Sequence, residues 1–385
     1  QAARVQLEAV LAQQPDNLEL LKTLGANAFW LGQIHYDASN WQATQPEFER
    51  YYQYSQRMYE LAPENLDAIM ELSYATNSLG SLAMKRQQFD LARKNFEESL
   101  RLKLLAQEQQ TDNGQLIADI ADTRSWLASA LLAQGDLSAA IAIHKQLQFQ
   151  LESMKITPDP YLLDILTTSY QLLADLLEYQ GSTAEALSKA KLGFSTISKA
   201  LEQDPDNSTW RRRKHYFYFQ DFKFQTGMSS SQIESVLASN LAALDAERDA
   251  FTEVNNKEIE VRLWRTAAQQ LQNINQFSRS KIFADRAYIA SDKLASQYAN
   301  NISYVAFLTD SQLLQAKALV AEGQHEAATL LCGHVRQRLT DIVQKNRDAR
   351  FVGAYAKALD CLGVLPGQTE LMKLIQQNSI VNHRF

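Results

Sequence analysis

The chain has 385 residues, of which 13 are Gly and 7 are Pro. These counts are less than half of the roughly 7% Gly and 5% Pro that are usual. So few turn residues argue against a large β-sandwich or barrel, and the abundance of good helix formers predicts an all-α fold. A net charge of -6 argues against nucleic-acid binding. The sequence contains no long apolar run of the kind that spans a membrane.

Polar turn clusters recur along the chain at intervals of 45 to 49 residues. Between them run two segments of about 20 residues in which Leu and Ala recur at helical spacing. Asp, Asn or Pro in the clusters provides the start signal of the first helix. A second, short turn in each period precedes a small residue. The clusters lie near residues 15–17, 63–65, 111–113, 159–160, 205–207, 255–256, 300–301 and 346–348, and the small residues are Ala92, Ala140, Ala186 and Ala328.

This pattern resembles the tetratricopeptide repeat (TPR) family. Leu79-Gly80 followed by Ala92 and Phe96 matches the family's Leu-Gly and Ala-x3-Phe positions, and Trp264 falls at its Trp position. The repeat of about 47 residues is longer than the family's 34, which implies longer helices. The resemblance implies a right-handed α-solenoid, or superhelix, of about eight helical hairpins. It also implies a concave surface that is lined by the first helix of each repeat.

The spacing predicts a repeat array over residues 1–348 and C-terminal capping helices over residues 349–385. Residues 1–17 are expected to end a preceding repeat, and an upstream domain is expected because position 1 starts in the middle of a helical pattern. The predicted units lie near residues 18–64, 65–112, 113–159, 160–206, 207–255, 256–300 and 301–348.

The resemblance also implies which side chains face the concave surface. They mix amides, aromatic rings and a few charges, which suits an extended peptide and disfavours a clamp for a C-terminal carboxylate. In the alternative interpretation they face solvent or another part of the chain. The predicted residues are Phe29, Gln33, Tyr36, Asn77, Ser81, Met84, Ser125, Ser129, Leu132, Gln171, Asp175, Glu178, Phe217, Asp221, Phe224, Arg265, Gln269, Gln272, Leu313, Lys317 and Val320.

Four consecutive cations, Arg211, Arg212, Arg213 and Lys214, precede an aromatic block. They follow a turn and so lie near a helix start, where positive charge is unfavourable. One interpretation is therefore an acidic partner. In the other, Asp204, Asp206 and carboxylates of neighbouring repeats neutralise the run.

No motif for catalysis, for a cofactor or for a metal is found. Cys332 and His334 could form a reactive pair, but Cys332 falls where the family has a buried residue and is expected to lie in the core. His144 is expected to be a packed histidine. The carboxylates of Asp119 and Asp122 are expected to lie on a solvated face.

These observations predict a non-enzymatic scaffold that binds a protein or peptide, with an acidic segment as one candidate, and that uses no cofactor, nucleic acid or membrane span. The alternative is a C-terminal sensor of a larger signalling protein, such as a transcriptional regulator or a kinase. A third hypothesis is an enzyme that uses Cys332. The segment is expected to be soluble, with the cytoplasm slightly favoured over the periplasm, and its oligomeric state is left open.

Overall fold

The computed structural model describes residues 2–111, 113–153, 160–299, 301–377, 380 and 385. Three residues of the predicted turns (112, 159 and 300) and most of the residues after 377 lie outside this part. Within it every regular element is a helix, as the composition predicts. The helices fall into two compact units, residues 1–134 and 135–385.

Unit 1 is built from six helices in which each one packs against the next from α1 to α6. Alternate helices α2, α4 and α6 also contact one another, so the hairpins stack side by side. The helices are α1 (Ala2–Leu11), α2 (Leu18–Asp37), α3 (Trp41–Leu61), α4 (Leu66–Lys85), α5 (Phe89–Gln109) and α6 (Gly114–Gln134).

Unit 2 repeats this arrangement over a longer stretch. Consecutive helices pack together, and α8, α10, α12, α14 and α16 form a second set of contacts with one another. Each unit is thus an α-solenoid, and we call these alternate helices its first helices. The helices are α7 (Leu137–Ser153), α8 (Pro160–Tyr179), α9 (Thr183–Gln203), α10 (Ser208–Phe224), α11 (Ser230–Ala246), α12 (Glu253–Asn273), α13 (Phe277–Gln297), α14 (Ile302–Ala321), α15 (His325–Lys345), α16 (Ala349–Cys361) and α17 (Thr369–Gln377). Short 3-10 turns cover Arg248–Ala250 and Leu365–Gly367.

Most of the polar turn clusters start first helices, as predicted, but the cluster at 255–256 is a correction: Asn255 and Asn256 lie inside α12, and Thr252 caps that helix instead. The side-chain oxygens of Asn17, Asn65, Asn113 and Asn207 each accept a hydrogen bond from the backbone N–H three residues later, at 3.0 to 3.1 Å. Such caps satisfy backbone donors that the helix leaves free, and each contributes about 1 kcal/mol.

Small residues mark the close helix crossings. Ala92, Ala140, Ala186 and Ala328 are at most 1% exposed. At Gly80 a Cβ atom would lie 2.6 Å from the ring of Phe96, so the ring of the second helix packs directly on the backbone of the first. The core of each unit therefore lies between first and second helices.

The two cysteines are joined in a disulfide between α15 and α16, with the sulfurs 2.13 Å apart. Cys332 is fully buried, as expected for a core residue. The hypothesis of a nucleophilic Cys332 beside His334 is wrong for this structure, because a sulfur bonded to Cys361 is not a thiolate.

Candidate functional site

Polar side chains of unit 2 join neighbouring first helices in a ladder. Gln220 of α10 donates from Nε2 to Oδ1 of Asp175 and to the backbone carbonyl of Gln171, at 3.1 and 2.8 Å. Lys223 of α10 forms an ion pair with Glu178 of α8. The ladder thus links α8 to α10. The sequence predicted the α8 members of these contacts on the concave surface, but it did not predict Gln220 and Lys223 of α10.

The ladder continues along the next first helices. Arg265 of α12 forms an ion pair with Asp310 of α14. Arg262, one turn earlier, lies over the rings of Tyr216 in α10 and Phe307 in α14, with its guanidinium carbon 4.9 and 4.7 Å from the ring centroids. Arg265 therefore lies on the face of α12 that contacts the neighbouring first helix α14.

The first helix α16 closes the row. Arg350 at its start donates to both carboxylate oxygens of Asp348 and is 41% exposed. Asp348 raises the pKa of Arg350, and that guanidinium also interacts electrostatically with Tyr179 and Asp175 of α8. Charged groups of α8 and α16 therefore lie close enough to affect each other.

The charged side chains of this surface form one group, which we call the inner cluster. Its members interact across α8, α10, α12, α14 and α16. Five cations and four carboxylates take part in these interactions. The cations are Lys223, Arg265, Lys317, Arg350 and Lys357, and the carboxylates are those of Asp175, Glu178, Asp310 and Asp348.

Burial shifts the pKa of groups in the inner cluster although water still reaches them. Tyr179 and Lys357 are both partly exposed. Nevertheless, burial raises the pKa of Tyr179 well above its ordinary value, and Asp310 adds to this rise. Burial lowers the pKa of Lys357, and the nearby Asp310 only partly opposes it. Tyr179 and Lys357 are thus crowded by neighbouring groups but still partly exposed, and we call the surface that they line the groove.

The remaining predicted residues of unit 2 differ in their placement, and the prediction is wrong for Gln272 and Leu313, which are buried and cannot face a ligand. Asp175, Arg265 and Lys317 belong to the inner cluster, and the exposed Gln269 lies one helical turn after Arg265 on the same face. Asp221 is partly exposed and accepts a hydrogen bond from Gln225 of its own helix segment. These positions remain candidates for contact with a ligand.

In α10 the predicted register is wrong by one residue. Phe217 is fully buried and Phe224 is 4% exposed, so neither side chain can face a ligand. A Cβ at Gly193 of α9 would lie 2.2 Å from the ring of Phe217, which therefore fills this notch in the second helix. Gln220 and Lys223, which reach α8, each come one residue before a predicted position.

The predicted surface of unit 1 is less charged. Tyr36 of α2 and Ser81 of α4 share a side-chain hydrogen bond. The ammonium of Lys85 lies 5.9 Å from the Tyr36 ring centroid. The hydroxyl of Thr123 in α6 donates a hydrogen bond to Oδ1 of Asn77 at 3.5 Å. The other predicted residues of this unit are partly exposed: Phe29, Gln33, Met84, Ser125 and Ser129.

A cavity of about 250 Å³ in unit 1 is lined by acidic residues that already have partners. Lys22 forms an ion pair with Asp67 at 2.7 Å. The hydroxyl of Tyr74 donates to Asp119 at 2.5 Å, and a tyrosine of α3 donates to Glu71 at 2.8 Å. These internal bonds make the cavity a weak candidate for a ligand.

Lys103 of α5 is a buried cation that sequence reasoning missed. Its ammonium donates to the hydroxyl of Thr123 at 2.7 Å, and burial lowers its pKa to about 8. The nearby Asp122 was expected on a solvated face, but it is largely buried. This burial raises the pKa of its carboxyl group. The bond to Thr123 gives Lys103 a structural role between α5 and α6.

The basic run at residues 211–214 has partners within unit 2. Arg211 pairs with Glu247 at 3.2 Å, and Arg213 pairs with Asp164 at 2.8 Å. The other two cations, Arg212 and Lys214, reach an asparagine oxygen of α12 and two aromatic rings. Two of the four cations thus pair with carboxylates of other helices, as the second interpretation expects, although these are not the predicted Asp204 and Asp206.

His144 is a packed histidine, as predicted. It is 3% exposed, and its Nδ1 lies 3.1 Å from the hydroxyl of Ser169 in the next helix. No group of three potential metal ligands is found in the described residues. None of the described helices combines the length and apolar character that crossing a bilayer would require.

No protein-family model and no curated protein matches the chain. Among solved structures, it is similar to a Rap protein complexed with competence and sporulation factor, at 13% identity and a TM-score of 0.48 over 98% of this chain and 99% of that one. It is also similar to BtubC from P. vanneervenii (14% identity, TM-score 0.41, 66% and 92% covered) and to yeast Tom70 (12%, 0.35, 98% and 87%). Similarities of this strength carry no functional argument.

Proposed function

We propose that the chain is a scaffold that binds an extended peptide or protein segment along the first helices of unit 2. The observation that supports this most strongly is the surface of polar and charged side chains that five contacting first helices share at the inner cluster, on which Lys357 stays partly exposed. Groups with perturbed pKa values cluster at functional sites, and burial lowers the pKa of Lys357 on this surface.

An extended chain can follow the row of first helices. The path along five first helices spaced roughly 9 Å apart is about 35 Å long, and it curves enough for charged groups of α8 and α16 to interact. An extended peptide of about ten residues covers that length. Amide and charged side chains along the row, such as Gln269 and Arg265, can bind both the backbone and the side chains of such a peptide.

We further propose that the hairpins are long-helix units of the TPR type with a period of about 47 residues. The first helices support this, because they begin at Leu18, Leu66, Gly114, Pro160, Ser208, Glu253, Ile302 and Ala349. The predicted unit boundaries and the cap over residues 349–385 are part of this proposal. The regulatory alternative stays a prediction that no described contact favours.

A display library of random 12-residue peptides tests the proposed function. The wild-type chain should enrich a set of related peptides. Gln269→Trp places a bulky ring on the proposed surface and should weaken the selected peptides by at least tenfold. Gln297→Trp makes the same change at an exposed position of the second helix α13 and should leave affinity unchanged. Equal effects of both substitutions, or no enrichment at all, would rule out this surface.

A further inference from the structure

Ion pairing in the inner cluster is incomplete. Glu178, Asp310 and Asp348 each have a cation within ion-pair distance, namely Lys223, Arg265 and Arg350. The fourth carboxylate, Asp175, accepts a hydrogen bond from an amide. Every carboxylate of the cluster therefore has a polar partner of its own.

Two lysines of the cluster have no such partner. Among the described residues, no carboxylate lies within 4.0 Å of the ammonium groups of Lys317 in α14 or Lys357 in α16, and neither group makes a hydrogen bond. Both side chains are partly buried, and their helices are in direct contact. Two ammonium groups of like charge thus lie on neighbouring helices of one groove.

The electrostatics of Lys357 show what this arrangement costs. Burial lowers its pKa, and the positive charges of Lys317 and Arg265 lower it further, whereas Asp310 and Glu178 oppose this only in part. Asp310 is already engaged by Arg265 and Glu178 by Lys223. An anion placed between the two lysines would offset both the burial and the mutual repulsion.

We infer that Lys317 and Lys357 together bind a carboxylate of the peptide that occupies the groove. This inference rests on the proposed function and names the chemistry of its ligand: an extended segment with Asp or Glu side chains. A flexible ammonium donates up to three hydrogen bonds, so two of them can hold both oxygens of one carboxylate. Hydrogen bonds between charged groups are about twice as strong as neutral ones.

The test compares two double variants with the same change in charge. In one, Lys317→Gln and Lys357→Gln remove the proposed site. In the other, Lys191→Gln and Lys199→Gln remove two exposed lysines of the second helix α9 that have no ion pair among the described residues. Each protein is panned against the random 12-residue library at low and at high salt, and its thermal midpoint is recorded to verify that it is folded.

The wild type and the α9 variant should enrich peptides that contain Asp or Glu, and high salt should weaken this preference. The variant without Lys317 and Lys357 should lose the preference. It should bind a selected acidic peptide at least tenfold more weakly than the wild type, the loss expected from one charge-assisted contact. Replacing the critical Glu of that peptide by Gln should weaken the wild type to the same extent.

The outcomes separate the two proposals. Enrichment of peptides with no acidic preference would support the groove as a binding surface and overturn the carboxylate site. Equal losses in both double variants would also overturn it, because they would show an effect of overall charge. A complete absence of enrichment in the wild type would overturn the carboxylate site together with the proposed function.

Discussion

Gly193 of α9 offers a sharp test of how the hairpins of unit 2 pack. A Cβ atom at this position would lie 2.2 Å from two carbons of the Phe217 ring, well below the 3.4 Å at which ordinary contact begins. Phe217 is fully buried, so the ring has no open space to enter. The substitution Gly193→Ala therefore forces α9 and α10 apart or drives the ring against its neighbours.

The expected magnitude follows from two opposing effects. Alanine in the middle of a helix is favoured over glycine by about 1 kcal/mol. Overpacking of a well-packed core costs about 1–3 kcal/mol, and the close approach at Phe217 places this site at the upper end. Gly193→Ala should therefore destabilise unit 2 by about 1–2 kcal/mol.

Gly333 in α15 is the matched control, because a Cβ there would have no neighbour within 4 Å. Gly333→Ala should stabilise the same unit by up to about 1 kcal/mol. In a unit of this size 1 kcal/mol corresponds to a shift of about 2–4 °C in the unfolding midpoint. Thermal unfolding followed by circular dichroism should separate the two variants by several degrees. Equal midpoints, or a higher one for Gly193→Ala, would refute the packing of Phe217 on Gly193.

Three further predictions concern stability. Reducing the disulfide of Cys332 and Cys361, which are 29 residues apart, should destabilise unit 2 by about 3 kcal/mol; an unchanged unfolding midpoint in dithiothreitol would contradict this. Burial lowers the pKa of His144 to about 4 in the folded state. As the pH falls, the imidazole is therefore protonated in the unfolded chain before it is protonated in the folded one. Stability that is present above pH 6.5 is lost as the pH falls to about 4. The loss is about 3 kcal/mol, and denaturation at pH 7 and 4.5 should show a flatter profile for His144→Gln than for the wild type. Trp126 stacks on a ring of α5 at 5.8 Å, whereas Trp30 is 64% exposed. Trp126→Ala should therefore cost about 2 kcal/mol more than Trp30→Ala in urea denaturation, and similar costs would contradict the stacked arrangement.

Local signals made the helices and their starts predictable. Asn17, Asn65 and Asn207 cap first helices because an asparagine side chain can bind the backbone only a few residues away. Small residues such as Ala92 and Ala186 are buried at helix crossings, where no larger side chain fits. Each of these features depends on contacts within one hairpin, so a single repeat carries the necessary information.

The register of α10 could not be predicted in the same way. In α2 and α4 a glycine of the first helix, Gly32 or Gly80, receives a ring of the following second helix, but here the notch is Gly193 in the preceding second helix. Because α10 contains no such marker, the predicted register is shifted by one residue. That shift places Phe217 on the exposed side of the helix, although the structure buries it. The partner of Gly193 lies 24 residues later, in a different hairpin.

Local sequence patterns also could not predict the ion pairs. Arg213 pairs with Asp164, which lies 49 residues earlier, and Arg265 pairs with Asp310, which lies 45 residues later. Both intervals are close to the repeat spacing, so a search for opposite charges one repeat apart would have found them. It would not have shown that Lys357 lacks a partner, because that depends on the three-dimensional crowding of the groove.

Hydrogen exchange with and without a selected peptide tests the central proposal most directly. If the peptide lies along the first helices of unit 2, saturating amounts should slow amide exchange in α10, α12 and α14, and the second helices α9, α11 and α13 should change little. Protection confined to the second helices, or the absence of any change on binding, would contradict the proposal that this groove is the binding surface.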